Sequence, residues 1–592
     1  MKVGLLGGSY TSLSPILDCQ RTANRYFEQS ESNNSKSAGA LYPRPGLSKF
    51  STAPERYGRG IITHQATGRT FAVIGAGFYE VFADGTTTLR GGVANDSLPA
   101  SLAQSNIQIM IASGQHGYCF TLAGNVFTAD PANLVTPLQV FYVDGFFLAI
   151  IAGSNQWQYS NALDGTTWNA LNKTAVSVFP DALQGGNFDH REFIVFGSER
   201  GVAYYDSGNL FAFDVVPGGY IDDGLAASFA ICRADNTTFY LGFDERGNIA
   251  LKRLNGYTPS RVSTHAVEQT WRSYTKFSDA TMCAIGWNGH TFVQITFPSA
   301  NNGRGATWWY DVGSSPDMAW SDQFYWQNGL EWAHKGTYHT VAFGGKHLVL
   351  DANSGNVYLM DDQFTTDDGA PIRRIRRCPH LSNEGTYLKL TKIELAIEPG
   401  LASIVGGGSP TTITLASPNG SLWAVQVSDA GILQVNPTLV GTAQTIVLND
   451  PAKGTSWLLG VSNGGILTTT AQTLNVANAT FYQLIGTGGT KIYYLQVSNA
   501  GILSTNDEGN FFRAPQHCLR ISRDGGKTYG NEHWRGAGLQ GEYRNRSIWR
   551  QMGAGRDIVL EFTDSDPWPS RLIDLWVNEP VQRLAEKLRA QA

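Results

Sequence analysis

Apolar and polar positions along this chain form short, strand-length runs, and the runs recur. Residues 69–75 (RTFAVIG) and 77–82 (GFYEVF) read as two apolar strands, and Asp84-Gly85 marks a turn before a third at 86–90. The same order returns at 107–113 with 117–122, at 139–151 with 155–160, and at 192–197 with 202–205. It returns again at 239–244 with 248–252, at 282–287 with 290–297, and at 339–344 with 346–351. Copies follow one another at roughly 35–50 residues, a spacing that suits propeller blades of several short strands each. The pattern predicts an all-β chain, with a β-propeller of six to eight blades over 59–370. A pair of β-sandwiches is the alternative, but it does not explain so many similar units.

The rest divides by pattern. Residues 387–398 (YLKLTKIELAIE) alternate like a half-buried strand. They are expected to pair with 517–522 and 558–563, so that 371–400 and 511–580 form one β-rich platform domain. Between them, 401–510 carries the clearest internal repeat: SLWAVQVSDAGILQV, SWLLGVSNGGILT and IYYLQVSNAGILS. Gly431, Gly465 and Gly501 fall 34 and 36 residues apart. Each unit reads as a hairpin whose glycine supplies a positive φ, and the three make an inserted β domain. At 581–592, Val581, Leu584, Ala585 and Leu588 share one face of a short C-terminal helix. Residues 1–58 read as an N-terminal arm and link. The aromatics Tyr26 and Phe27 stand at its anchored end, 30–37 is polar, and Tyr42-Pro43-Arg44-Pro45-Gly46 is a stiff lead into the body.

Composition adds to this. The 592 residues exceed one ordinary core, and 66 glycines with 29 Phe, 24 Tyr and 15 Trp suit many strands and tight turns. Only 16% of residues are charged, which fits either a surface covered by neighbouring subunits or a Ser/Thr/Asn-rich β surface. A net charge of -5 gives no support for a strongly attractive nucleic-acid binder. The six cysteines lack CxxC spacing, so neither a zinc site nor a redox motif is expected. No secretory leader and no membrane span is expected, so the chain reads as made and folded in the cytoplasm.

Candidate chemistry is sparse. Ser522-Arg523-Asp524-Gly525-Gly526-Lys527-Thr528-Tyr529 fits the Asp-box pattern familiar from sialidases, but the box is a turn device and carries no catalysis by itself. Asp222-Asp223, Asp361-Asp362 and Asp367-Asp368 are adjacent pairs, which on a strand point to opposite faces, so they do not face each other as glycosidase acids do. They are expected to be solvated loop residues. The histidines are scattered; His334 and His339 come nearest in a row and would not share a face. No catalytic, metal-binding or cofactor-binding residue is expected. Arginines cluster at 373–377 and again at Arg544, Arg546, Arg550 and Arg556, and both groups are expected on a solvated or subunit-pairing face.

Three places together resemble the packaged-DNA stabilisation proteins of short-tailed phages, the tail hub or nozzle family. They are NRYFE through GALYPRPGL near the N-terminus, the Gly-punctuated β units from about 60 to 361, and LRISRDGGKTY at 519–529 with the Trp-Arg segment and closing strand beyond it. The resemblance spans roughly 20–400 and 511–580; 401–510 departs from it. It implies a non-enzymatic structural protein of the virion tail: a homohexameric ring that extends the DNA channel below the portal and its adaptor, retains packaged DNA and passes it at ejection. It further implies contacts with the portal adaptor, with tail fibres or tailspikes, and with a distal plug or needle, and transient passage of double-stranded DNA. No cofactor is implied. Under this reading Tyr26, Phe27, Tyr42, Pro43, Pro45 and Gly46 are assembly residues that dock on a neighbour. Two other readings remain at this level. Trp423, Trp457 and Tyr493 could stack on sugar rings in a receptor- or glycan-binding insert, and a sialidase-like propeller enzyme rests on the Asp box alone.

Overall fold

A computed structural model of the protein describes residues 2–398 apart from 33, 210 and 244–246, the strands of three small sheets between 413 and 506, and 515–578 apart from 539–541 and 543. The repeat glycines Gly431, Gly465 and Gly501 and the expected helix at 581–592 lie outside the described residues.

The recurring strand runs form blades. Five separate four-stranded antiparallel sheets cover 58–92, 101–129, 137–175, 185–221 and 231–261. A sixth is built from Thr281–Trp287, His290–Phe297, Ala306–Asp311 and Trp320–Gln327. The seventh takes three strands from Gly336–Ala342, Lys346–Asp351 and Asn356–Asp361 and its outer strand from Gly46–Thr52, with Asp361 opposite Gly46. The inner strands touch in ring order, and Gly336–Ala342 of the seventh blade meets Gly58–Thr63 of the first. The propeller is therefore seven-bladed and closed by a strand from the N-terminal segment.

Blade strands read as unbroken apolar runs because both faces are packed between neighbouring blades. Thr70–Ile74 and Gly77–Val81 are buried throughout. Phe71 and Phe78 stack at 5.3 Å, and Phe120 of the second blade lies 5.3 Å from Phe71, so aromatic rings fill the wedge between blades. The turns follow their sequence signals. Asp84 and Asp164 accept hydrogen bonds from the backbone N–H and hydroxyl of Thr86 and Thr166. A short helix, His265–Trp271, interrupts the β order; Thr264 caps it, and it buries Trp271 against Trp320, 5.6 Å between rings.

Beside the propeller stands a β-sandwich. One sheet runs Arg25–Gln29, Gly39–Pro43, Leu572–Val577, Lys392–Ile397, Ser547–Arg550. The other runs Cys19–Ala23, Arg374–Arg377, Asp557–Asp564, Gln516–Ser522, His533–Gly536. This second sheet continues the outer strand of blade six through a parallel bridge between Ala23 and Asp322. Trp549 and Phe562 meet between the sheets at 5.7 Å. Lys392–Ile397 pairs with strands late in the chain, but with Leu572–Val577 and Ser547–Arg550 rather than the expected 517–522 and 558–563, which belong to the opposite sheet. It is not half-buried, though: Ile393–Ile397 are all buried, because both of its faces are covered.

The expected arm and link at 1–58 are instead built into the body of the fold. Cys19–Ala23, Arg25–Gln29, Gly39–Pro43 and Gly46–Thr52 are all paired strands. Arg25–Gln29 and Gly39–Pro43 form a hairpin with Phe27 opposite Leu41, and the polar stretch between them is its exposed loop. The prolines that suggested a tether stiffen a turn between two sheets instead.

By contact density the chain separates into two compact units, 1–398 with 517–535 and 546–592, and 399–516 with 536–545. The second contains three three-stranded sheets. Their hairpins pair Leu422–Val427 with Leu433–Thr438, Ser456–Val461 with Leu467–Gln472, and Ile492–Val497 with Leu503–Asn506, as the repeat predicts.

Candidate functional site

The residues expected to dock on a neighbour are instead gathered inside the chain's own first unit. Asn24 sits at the corner where the chain leaves one sandwich sheet for the other, with φ of 53°, a conformation asparagine tolerates. Its side chain is fully buried. The amide oxygen accepts from Arg44 Nε at 2.9 Å and from the Phe324 N–H at 3.0 Å, and the amide nitrogen donates to the Arg373 carbonyl at 2.7 Å. Arg44 in turn grips Asp367 with both guanidinium nitrogens, at 2.9 and 2.5 Å. Burial would raise the Asp367 carboxyl; Arg44 overrides it and holds the group below its ordinary value. Gly46 passes so close to the next segment that a Cβ there would lie 2.6 Å from the Thr366 carbonyl oxygen. Pro45 is buried and Pro43 half-buried beside it.

Tyr26 fills a pocket made by blade six. Its ring lies edge-on to Phe292 at 5.4 Å, to His290 at 5.2 Å and to Tyr42 at 5.9 Å, within a cluster that includes Leu47, Trp287 and Trp309. Burial pushes its hydroxyl up to about 12. Phe27 is buried over Gly39, and half-buried Tyr42 carries the Arg571 guanidinium 4.7 Å above its ring. Next to Tyr26, His290 bridges Asp311 of blade six at 2.8 Å and Glu28 of the hairpin at 2.9 Å. The hydrogen bond to Asp311 leads, with Glu28 adding to it against burial, in raising this imidazole to about 9. The sequence signal for these contacts was the pair of aromatics at 26–27. The distant partners of Tyr26 on blade six, His290 and Phe292, left no local trace.

The 373–377 arginines are also structural rather than solvated. Arg374 and Arg25 converge from opposite sheets on Asp564, and all three are buried. Arg25 also donates to the Ser570 carbonyl at 2.6 Å. Arg376 is fully buried and donates to the carbonyls of Leu5, Gly7 and Gly8 and to the Thr22 hydroxyl. Arg373 stacks on Trp326 at 4.4 Å, and Arg377 pairs with Glu561 at 2.8 Å. Alternation on a strand buries 374 and 376 together, and burial of arginine is tolerable here because each guanidinium meets carboxylates or carbonyls. Of the second arginine group, Arg550 and Arg556 are exposed, while Arg546 pairs with Glu394.

Asp524 of the Asp box accepts from the Lys527 and Thr528 N–H groups and from the Thr528 and Ser522 hydroxyls. Those bonds hold its carboxyl well below the ordinary range. Tyr529 packs under Arg377 and Arg520. The box is a locked turn. Of the aspartate pairs, Asp223 and Asp367 are buried rather than solvated: Asp223 accepts from the Tyr240 hydroxyl at 2.6 Å and meets Lys252 at 2.7 Å. Asp361 and Asp362 do face each other, and burial followed by Asp361 raises the Asp362 carboxyl.

His339 and His347 stand 3.0 Å apart across a hairpin of blade seven, a pairing that sequence distance concealed. Among the described residues no group of three or more His, Cys, Asp or Glu could hold a metal ion. Cys19, His380 and Asp557 make a triad-like row, with Sγ 3.7 Å from Nε2 and Nδ1 2.7 Å from the carboxylate. Nε2, however, lies 2.9 Å from the Pro15 carbonyl, which can only accept; the nitrogen donates there and has no lone pair for the thiol proton. Burial pushes the thiol up, away from reactivity. A cavity of about 480 Å³ between blades six and seven is lined by Tyr325, Trp332, Lys335 and Tyr358, and among the described residues Asp351 is the one acid that lines it. That acid is held by the Asn353 N–H and the Ser354 hydroxyl.

Comparison with known families decides the identity. Residues 1–365 match the family model described as bacteriophage P22 Gp10, β-propeller, and residues 497–577 match the one described as bacteriophage P22 Gp10, β-sandwich. The chain belongs to the P22 Gp10 family of phage stabilisation proteins. It is a structural protein of the phage virion tail, acting in stabilisation of packaged DNA.

In this Gp10-family chain, 366–496 fall outside both matches. No curated protein matches the chain. Solved structures that resemble it do so faintly. The extracellular domain of a hybrid two component system from B. thetaiotaomicron shares 8% identity over 83% of this chain and 61% of that one, with a TM-score of 0.37. The N-terminal domain of Nup159 shares 6% over 56% of this chain and 98% of that one, at 0.35. A GH74 enzyme from Niastella koreensis shares 11% over 85% and 83%, at 0.33.

Of the expected stacking residues, Trp423, Trp457 and Tyr493 occupy the second position of the central strand in each small sheet of the second unit. Their Cα partners are Leu415, Leu448 and Leu484. No helix among the described residues is long and apolar enough to cross a membrane.

Proposed function

We propose that this protein is the subunit of a tail nozzle: a homohexameric ring below the portal and its adaptor that lengthens the DNA channel, retains packaged DNA and passes it at ejection. The observation that carries the reading is family membership across both the propeller and the sandwich. The clamp at Asn24, Tyr26 and Arg44 supports it, because it fuses propeller and sandwich into one stiff body suited to bearing the load of a pressurised channel. The net charge of -5 supports it too: a wall that neutralises few phosphates lets duplex DNA slide. The same subunit, acting as a non-enzymatic scaffold, would meet the portal adaptor, tail fibres or tailspikes and a distal plug. Particles lacking this chain should package DNA and then lose it; particles that retain DNA without it would refute the role.

A second reading attaches to 401–510, which we take as a module inserted into the platform. The equivalent placement of Trp423, Trp457 and Tyr493 suits repeated stacking on sugar rings. Deleting 401–510 should then abolish adsorption to host cells while leaving tails intact; unchanged adsorption removes the receptor role.

A further inference from the structure

The cavity of about 480 Å³ between blades six and seven is a formed pocket that the nozzle reading leaves unused. Three connections meet there: 298–305 within blade six, 352–355 within blade seven, and 334–335 between the two blades. The first takes an unusual path. Asn301, Asn302 and Gly303 are left-handed in succession, at φ of 53°, 60° and 81°. Asparagine and glycine visit that region mostly as single residues, so three in a row are held there by their surroundings. The path places Arg304 on the cavity wall.

Lys335, half-buried in the same wall, has no partner for its charge. Its ammonium lies 4.2 Å from the centre of the Tyr325 ring and 5.4 Å from that of Tyr358. Among the described residues it meets no hydrogen-bond acceptor and no carboxylate within ion-pair distance. Arg304 gives its Nε to the Asn301 carbonyl at 3.0 Å, and its two other nitrogens have no acceptor among the described residues. The nearby acid does not neutralise them, because Asp351 is held by the Asn353 N–H and the Ser354 hydroxyl of its own turn. Burial lowers His334, which also lines the cavity, to about 3 and so leaves it neutral. The described lining therefore carries two free cations and one engaged carboxylate, which suits an anion.

The neighbours of these cations narrow the class of anion. Trp332 stands directly opposite Tyr325 across the hairpin of Trp320–Gln327 with Leu330–Ala333, so the two rings share a face, and Trp332 is 36% exposed. Gln327 and Asn353 add exposed amides whose side chains make no hydrogen bond among the described residues. A bare ion needs neither an aromatic ring nor free amides. A sugar uses both, with its ring stacked on indole and its hydroxyls on the amides. A cavity of this size admits a ligand of one or two rings and excludes a duplex. We propose that this cavity binds an acidic sugar unit, its ring against Trp332 and its carboxylate or phosphate held by Lys335 and Arg304. The site is separate from 401–510 and does not depend on the order of the tail ring.

The test titrates the full chain with glucuronic acid, N-acetylneuraminic acid and glucose 6-phosphate, with glucose and inorganic phosphate as controls, by calorimetry and saturation-transfer NMR. The same titrations are run on Lys335→Gln, Arg304→Gln and Trp332→Ala, each checked for folding by circular dichroism. At least one acidic sugar should bind about tenfold or more tightly than either glucose or phosphate. Lys335→Gln and Arg304→Gln should erase the preference over glucose, and Trp332→Ala the preference over phosphate. Should Trp332→Ala not fold, the two charge variants decide. The inference is overturned if none of the three acidic sugars binds at about 20 mM, if phosphate binds as tightly as they do, or if the variants bind as wild type does. Tighter binding of a single-stranded oligonucleotide than of any sugar, lost in Lys335→Gln, would assign the pocket to nucleic acid. Loss of self-association in Lys335→Gln without sugar binding would assign it to a carboxylate of a second copy. Either outcome also overturns the inference. The tail role stands or falls separately, by the presence of the chain in purified particles.

Discussion

Arg25 and Asp564 form a buried ion pair that joins the two sheets of the sandwich, across 539 residues of sequence. Asp564 also receives Arg374 at 3.0 Å. Burial alone would raise the Asp564 carboxyl, but the two guanidinium groups hold it below its ordinary value. The pair is asymmetric: Asp564 serves two arginines, whereas Asp564 without Arg25 keeps one. Asp564→Ala should therefore cost more than Arg25→Met. About 3–5 kcal/mol is expected for the former, where buried charges lose their partner, and less for the latter. Thermal melting of the two variants checks the order; equal or reversed losses would show that the sheets are held by something else.

Tyr26 is a core residue of its own chain. Tyr26→Ala removes a ring from the junction of hairpin and blade six, and large aromatic truncations of this kind cost about 3–5 kcal/mol. The purified variant should melt earlier as an isolated subunit. A subunit of wild-type stability that fails only in assembly would restore the docking-arm reading of 24–47.

His290 gives the junction a pH dependence. Its folded value of about 9 exceeds the ordinary 6.5, so its stabilising contribution is complete below about 6.5 and is lost as pH rises through about 9. The thermal midpoint of wild type should fall across that alkaline window, and His290→Gln should flatten the fall while lowering stability at neutral pH. A fall of the same size in the variant would assign the effect to another group.

Asp524 acts on one turn. Asp524→Ala should speed hydrogen exchange at the Lys527 and Thr528 amides, whose acceptor it removes, with little change in the blades. Unchanged exchange there would mean that Gly525 and Gly526, at φ of 69° and 88°, hold the turn unaided.

What the sequence disclosed depended on range. Blade strands such as 70–74 and 77–81 announce themselves because their apolar runs and turn residues are local. The hairpins of 401–510 do so for the same reason. Closure of the propeller by Gly46–Thr52 was hidden, since a strand says nothing of a partner 300 residues on. The arginines of 373–377 misled in the same way: their composition suggests a surface, and only the distant Asp564 and the carbonyls of 5–8 make their burial tolerable. Cys19, His380 and Asp557 show the converse, residues of catalytic type brought together with the wrong proton inventory.

The most direct test of the tail-ring role is electron cryo-microscopy of whole particles. Seven-bladed propeller density should repeat around the tail axis below the portal, six copies to a ring, with DNA passing through it. A single copy, or copies arranged off the axis at the tail periphery, would contradict the nozzle assignment.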